Sequence, residues 1–151
     1  MAEPLKKPTL YDTDFHAWTL DQAAKLRARA HNGIDWDHAA EEIESLGRSQ
    51  RNEIRSRILV VLIHLLKWRY QPDQRSSGWK GTLLEQRSRI ADEIEDSPSL
   101  RDFPATVLER EYRPARLKAA GETGLPESAF PSACPFTIEQ VLDPDFYPEA
   151  S

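Results

Sequence analysis

The sequence predicts an all-α fold: a single-domain bundle of about five helices, with a Pro-rich C-terminal tail carrying one short helix. Three observations predict it. Sustained period-two alternation is missing, as is any Asn-Gly or Asp-Gly hairpin turn between β-branched runs. Apolar residues recur instead at three- and four-residue spacing through most of the chain. Capping signatures, in which a side-chain oxygen satisfies a free N–H of the first helical turn, precede several of these runs.

Taken in order, Thr19-Leu20-Asp21-Gln22 reads as a capping box, with Trp18 and Ala23 as a hydrophobic staple. The helix it opens is expected to end near His31-Asn32-Gly33, where glycine tolerates the left-handed closing position. Asp35 is placed to cap a second helix. Its apolar positions Trp36, Ala40, Ile43 and Gly47, the expected buried face, continue in phase through Gln50, Ile54, Ile58, Val61 and Leu65. A break is expected near Gly47-Arg48-Ser49. Leu59–Leu66 is apolar almost all round, the mark of a bundle's most buried helix. After Pro72, Ser76 or Ser77 starts a helix through Trp79, Leu83, Ile90 and Ile94, ending near Asp96. Ser97-Pro98 is a further start signal. The pattern then runs through Phe103, Val107, Leu108 and Tyr112, and Pro114 is expected to kink or split it before Gly121. Five prolines in the last 26 residues make the tail irregular. Within it, Thr137-Ile138-Glu139-Gln140 is a second capping box, stapled by Phe136 and Val141. The expected organisation is a flexible N-terminus over 1–9, the bundle over 10–125, and an irregular tail over 126–151 packed on it.

Composition bounds the function. The 151 residues are 39% hydrophobic and 30% charged, with a mean hydropathy of -0.64. No apolar run approaches the ~18–20 residues of a membrane span, and the N-terminus lacks a signal-peptide core, so a cytoplasmic protein without membrane partners is expected. One cysteine, Cys134, excludes an intrachain disulfide and suits a reducing compartment. Charge is uneven. Residues 1–44 hold nine acids and five bases, a net of -4; residues 45–90 hold three and ten, +7; residues 91–151 hold thirteen and five, -8. Either the three parts neutralise each other, or the basic middle faces an anionic partner.

Tyr11-Asp12-Thr13-Asp14-Phe15, Ala40-Glu41-Glu42-Ile43-Glu44-Ser45-Leu46-Gly47-Arg48-Ser49 and His64-Leu65-Leu66-Lys67-Trp68 with Tyr70-Gln71-Pro72 resemble a bacterial family. So do Trp79 with Gln86-Arg87, Asp96-Ser97-Pro98-Ser99-Leu100 and Cys134-Pro135-Phe136-Thr137. That family is known only as domain of unknown function twenty-nine, and the resemblance covers about residues 10–148. It implies a helical fold in a bacterial cytosolic protein, and carries no activity, substrate or catalytic residue with it.

Arg87 is the main anomaly. It falls inside the apolar stripe of Trp79, Leu83, Ile90 and Ile94, with Gln86 on the edge. A guanidinium keeps its charge, so burial demands good acceptors. The cluster Glu41, Glu42 and Glu44 is the expected source of a partner, with Glu111 as another. Arg87 braces helices through a glutamate, or recognises a ligand carboxylate or phosphate, or lies on a mis-phased helix and snorkels to solvent. His64, interrupting the apolar run, completes a candidate polar pocket with Glu42, Glu44, Gln86 and Arg87. A second candidate surface is Lys67, Trp68, Arg69, Tyr70, Arg75, Trp79 and Lys80, where cations interleave with stacking surfaces.

Metal is not expected. His16, His31, His38 and His64 show no ligand spacing, and no glutamate stands three residues before a histidine. No P-loop, dinucleotide fingerprint or nucleophile elbow occurs, and no cofactor is expected. Three readings follow: a protein-interaction or self-association module with Trp68, Tyr70 and Trp79 as contact aromatics; a nucleic-acid or nucleotide binder through 67–89; or an enzyme built on Glu42, Glu44, His64 and Arg87.

Overall fold

The structure, a computed structural model, describes residues 8–150, and every described element is helical. All but Pro8 and Thr9 of the expected flexible stretch 1–9 lie outside those residues. Six α-helices occur among the described residues: α1 (Leu10–Thr13), α2 (Phe15–Arg27), α3 (Trp36–Tyr70), α4 (Ser77–Asp96), α5 (Phe103–Thr123) and α6 (Ile138–Leu142), with short 3-10 turns between most of them. The chain parts into two compact units after Arg48.

The first unit holds α1, α2 and the start of α3. α2 begins four residues before the expected capping box, because Asp14 accepts from the Ala17 amide at 3.0 Å and caps it there. Thr19 therefore lies inside the helix, its hydroxyl donating to the His16 carbonyl at 2.7 Å. The helix stops at Arg27, earlier than the His31-Asn32-Gly33 signal. The left-handed residue is Arg29 (φ 55°), not a glycine. Gln22, 6% exposed, joins α2 to the following loop: its carbonyl oxygen accepts from the Asp35 amide at 2.7 Å, and its amide donates to the Gly33 carbonyl.

α3 runs unbroken for 35 residues, through the expected break at Gly47. Glycine inside a helix costs only about 1 kcal/mol relative to alanine, too little to end one whose neighbours are good helix formers.

The second unit is built on the C-terminal part of α3. Ile54, Ile58, Val61, Leu62, Leu65 and Leu66 are fully buried, as the all-round apolar run predicts. α4 contributes Leu83 and Ile90, and α5 contributes Val107, Tyr112, Ala115 and Ala119. The two alanines, one turn apart and fully buried, let α5 approach closely. Pro114 does not split α5. Its missing N–H removes one helical bond, and burial of Tyr112 and Ala115 on either side holds the flanks. The helix ends at Gly124, left-handed at φ 74°. Ser76 caps α4 through the Trp79 amide. Thr137 and Gln140 form the expected capping box of α6, whose staple residues Phe136 and Val141 are both buried.

Candidate functional site

Arg87 lies where its helical phase predicts, 3% exposed on the inner face of α4. Its partners are not the expected glutamates. Nε donates to the Val141 carbonyl at 2.8 Å, Nη1 to Phe146 at 3.0 Å and Nη2 to Gln140 at 3.1 Å. Three main-chain oxygens of α6 and the segment after it thus converge on one guanidinium, and the Tyr147 ring lies 5.9 Å from its carbon. Among the described residues no carboxylate pairs with it. Burial pulls its pKa below the ordinary value, opposed by Tyr147 and Asp143.

The other members of the expected pocket are each engaged separately. Glu42 accepts from the Tyr11 hydroxyl at 2.5 Å. Glu44 is exposed, 3.9 Å from Arg48. Gln86 accepts from Arg57 Nη1 at 3.2 Å. Glu111, buried at 6% exposure, pairs with Arg55 at 2.8 Å instead of Arg87. His64 is half-buried with Nδ1 2.8 Å from the Val60 carbonyl, one turn back along α3, and burial lowers its pKa. Each is satisfied by a neighbour in its own unit.

The basic-aromatic segment does come together, and each of its aromatic rings already has a cation of the same chain beside it. Trp68 is 8% exposed and sits 4.8 Å from the Tyr147 ring, with Arg75 at 4.9 Å and Lys80 at 5.8 Å from its centroid. Lys67 lies 4.8 Å over Trp79 and 3.6 Å from Glu122. Arg69 lies 5.5 Å from the Tyr70 ring, which meets Phe130 edge-on. Cation–π contacts of this kind are worth about 0.5–2 kcal/mol depending on solvation, and here they brace the junction of α3 and α4. Cys134 is half-buried, with its thiol pushed up to about 11 by burial, so little thiolate is present at neutral pH. Among the described residues no cluster of His, Cys, Asp and Glu is arranged to hold a metal.

The first unit contains what sequence reasoning missed. At roughly 100° per residue, Trp36, Ala40, Ile43 and Gly47 share one face of α3, while Asp35, His38, Glu42 and Ser45 line the opposite side. The polar side is the one that packs. Tyr11 stacks on His38 with centroids 3.8 Å apart and bonds Glu42, while Trp18 Nε1 donates to Asp35 at 3.2 Å. Asp35 also pairs with His38 at 2.7 Å, which lowers the carboxyl's pKa and raises the imidazole's. The apolar side is left open. Trp36 is 55% exposed, Ile43 68% and the adjacent Leu46 72%. The expectation that this stripe is core is corrected: α1 and α2 dock with hydrogen bonds and stacked rings, and those require the polar face.

The family model for the domain of unknown function DUF29 matches residues 10–147, nearly the whole chain. The chain belongs to that family. No curated protein and no solved structure matches it. As in the sequence-level resemblance, family membership agrees with the all-helical structure and names no reaction. No helix among the described residues is long and apolar enough to cross a membrane.

Proposed function

We propose that this chain is a protein-interaction module. Its contact face is the open stripe of α3, Trp36, Ala40, Ile43 and Gly47, widened by Leu46, and the occupant is an amphipathic helix with a basic flank. The observation that carries the reading is the inversion of α3 in the first unit: its polar side packs and its apolar side faces out. Large apolar side chains grouped at i, i+3 and i+4 positions match the groove-and-helix mode of recognition, and such patches on a monomer mark interaction sites. Gly47, with nothing within 4 Å of where a Cβ would stand, leaves room for close approach of a second backbone. Asp37 and Glu44 border one side of the stripe, so a partner carrying Lys or Arg beside its apolar face is favoured in rate and register. The aromatics Trp68, Tyr70 and Trp79, first candidates for contact, serve internal packing in this reading. The nucleic-acid and enzyme readings lose support from the same geometry, since cations already lie over the aromatic rings and Glu42 is held by Tyr11.

The test is in-cell photo-crosslinking from a benzoylphenylalanine at position 43, with one at exposed position 89 as control. A discrete adduct from 43 alone, lost on Leu46→Asp and mapping to a basic amphipathic helix, is expected. An adduct to a second copy of the chain overturns the choice of partner, and equal adducts from both positions overturn the interaction face.

A further inference from the structure

The second unit carries a cavity of about 430 Å³ beside Arg87. Its walls are Ile90, Ile94, Pro98 and Leu142, with Ala91 between the two isoleucines; Arg101 and Glu95, both exposed, stand among its lining. The volume falls within the ~300–1,000 Å³ of small-molecule sites, which pair apolar walls with a few placed polar groups. Arg87 is the one placed, buried polar group here, since Glu95 and Arg101 remain in water. A guanidinium carries five N–H donors. Three are spent on the carbonyls of Gln140, Val141 and Phe146, so one N–H on each terminal nitrogen is left. The carbonyls offer dipoles, not a counter-charge. A buried cation that no carboxylate pairs among the described residues, lining an apolar cavity, is matched by a ligand that brings one negative charge.

We infer that this cavity binds a medium-chain aliphatic monocarboxylate, its head on Arg87 and its chain along Ile90 and Ile94. Two remaining donors suit the two oxygens of a carboxylate, the planar pairing that guanidinium geometry favours. A phosphate monoester, with a second charge and a third oxygen, asks for more donors than Arg87 has left. Length agrees as well. Seven residues of α4 separate Arg87 from Ile94, a rise of about 10 Å, which is the reach of an extended octanoate chain. A neutral alcohol of equal length gains the walls and not the head group.

The experiment is a titration of the full chain with sodium octanoate, followed by calorimetry and by methyl NMR shifts. Saturable binding in the sub-millimolar range is expected, with shifts confined to Ile90, Ile94 and Leu142. 1-Octanol is expected to bind at least tenfold more weakly. Ala91→Trp fills the cavity from an exposed position of α4, and is expected to weaken octanoate at least tenfold while leaving the melting temperature in place. No saturable octanoate binding overturns the site. Equal affinity for octanol overturns the role of Arg87, and octyl phosphate binding tighter than octanoate overturns the carboxylate assignment. Undiminished binding by Ala91→Trp, in a variant shown folded by its NMR spectrum, places the ligand elsewhere and overturns the cavity.

Discussion

Replacing Arg87 by methionine keeps most of the aliphatic length and removes every donor. The carbonyls of Gln140, Val141 and Phe146 then lose their partner together. The bond to Val141 is fully buried, whereas the other two are part-buried and can recover water. A hydrogen bond to a charged group contributes about 1.5–3 kcal/mol, and a buried group left unsatisfied costs about 1–3 kcal/mol. Against this, the chain no longer has to desolvate a charge, which returns part of the loss. Taking one full bond, two partial ones and that return, Arg87→Met is expected to destabilise by about 3 kcal/mol. For a chain of this size that is a fall of roughly 6–12 °C in Tm. Hydrogen exchange localises the effect, because residues 137–147 are expected to lose protection before the core of α3 does. Arg87→Lys should recover less than half, since one ammonium cannot span three acceptors as a planar fork does. A loss below 0.5 kcal/mol, or unchanged protection of the tail with the core weakened, refutes the tethering role.

Two further outcomes are expected. Gly47→Ala should stabilise the chain by about 0.5–1 kcal/mol in urea unfolding, because α3 is continuous there and the added methyl meets nothing; a loss of stability would mean a helix interrupted at that point. The His38 imidazole, facing Asp35, Asp12, Glu41 and the Tyr11 ring, titrates above the ordinary histidine value, chiefly through the bond to Asp35. Its contribution to the first unit is therefore complete below pH ~6.5 and fades as pH rises through the native value. Imidazole NMR should report that raised pKa and its return toward ~6.5 in Asp35→Asn; a native value at or below the ordinary one contradicts the pairing.

How much of this was legible in the sequence differs between the two units. Periodicity found the α3 core, the Ser76 and Thr137 caps, and the burial of Arg87, because each depends on local spacing. It could not find Arg87's partners. The acceptors are main-chain oxygens, which every residue carries, so no side chain marks them, and the glutamates drew attention only because they are visible as charges. The Trp36–Gly47 stripe misled for a different reason. Apolar spacing says that a face seeks cover, not that the same chain supplies it. A signal for the true packing was present in Tyr11, Trp18, Asp35, His38 and Glu42, aromatic and hydrogen-bonding residues whose pairing spans up to 31 positions. The capping box at Thr19 failed because Asp14 offered an earlier cap, and a helix, once started, absorbs a later start signal.

The carbonyl cradle around Arg87 also bears on how such a chain can drift through evolution. An oxygen on the main chain survives any substitution at its own residue, proline included. Positions 140, 141 and 146 can therefore exchange side chains without rewriting the bond, provided the backbone keeps its path. Arg87 has no such freedom, for no other side chain can donate to all three carbonyls as a planar fork. The constraint falls on one letter of α4 and on the trace of the tail, so the tail's spelling can diverge among relatives while its course is inherited.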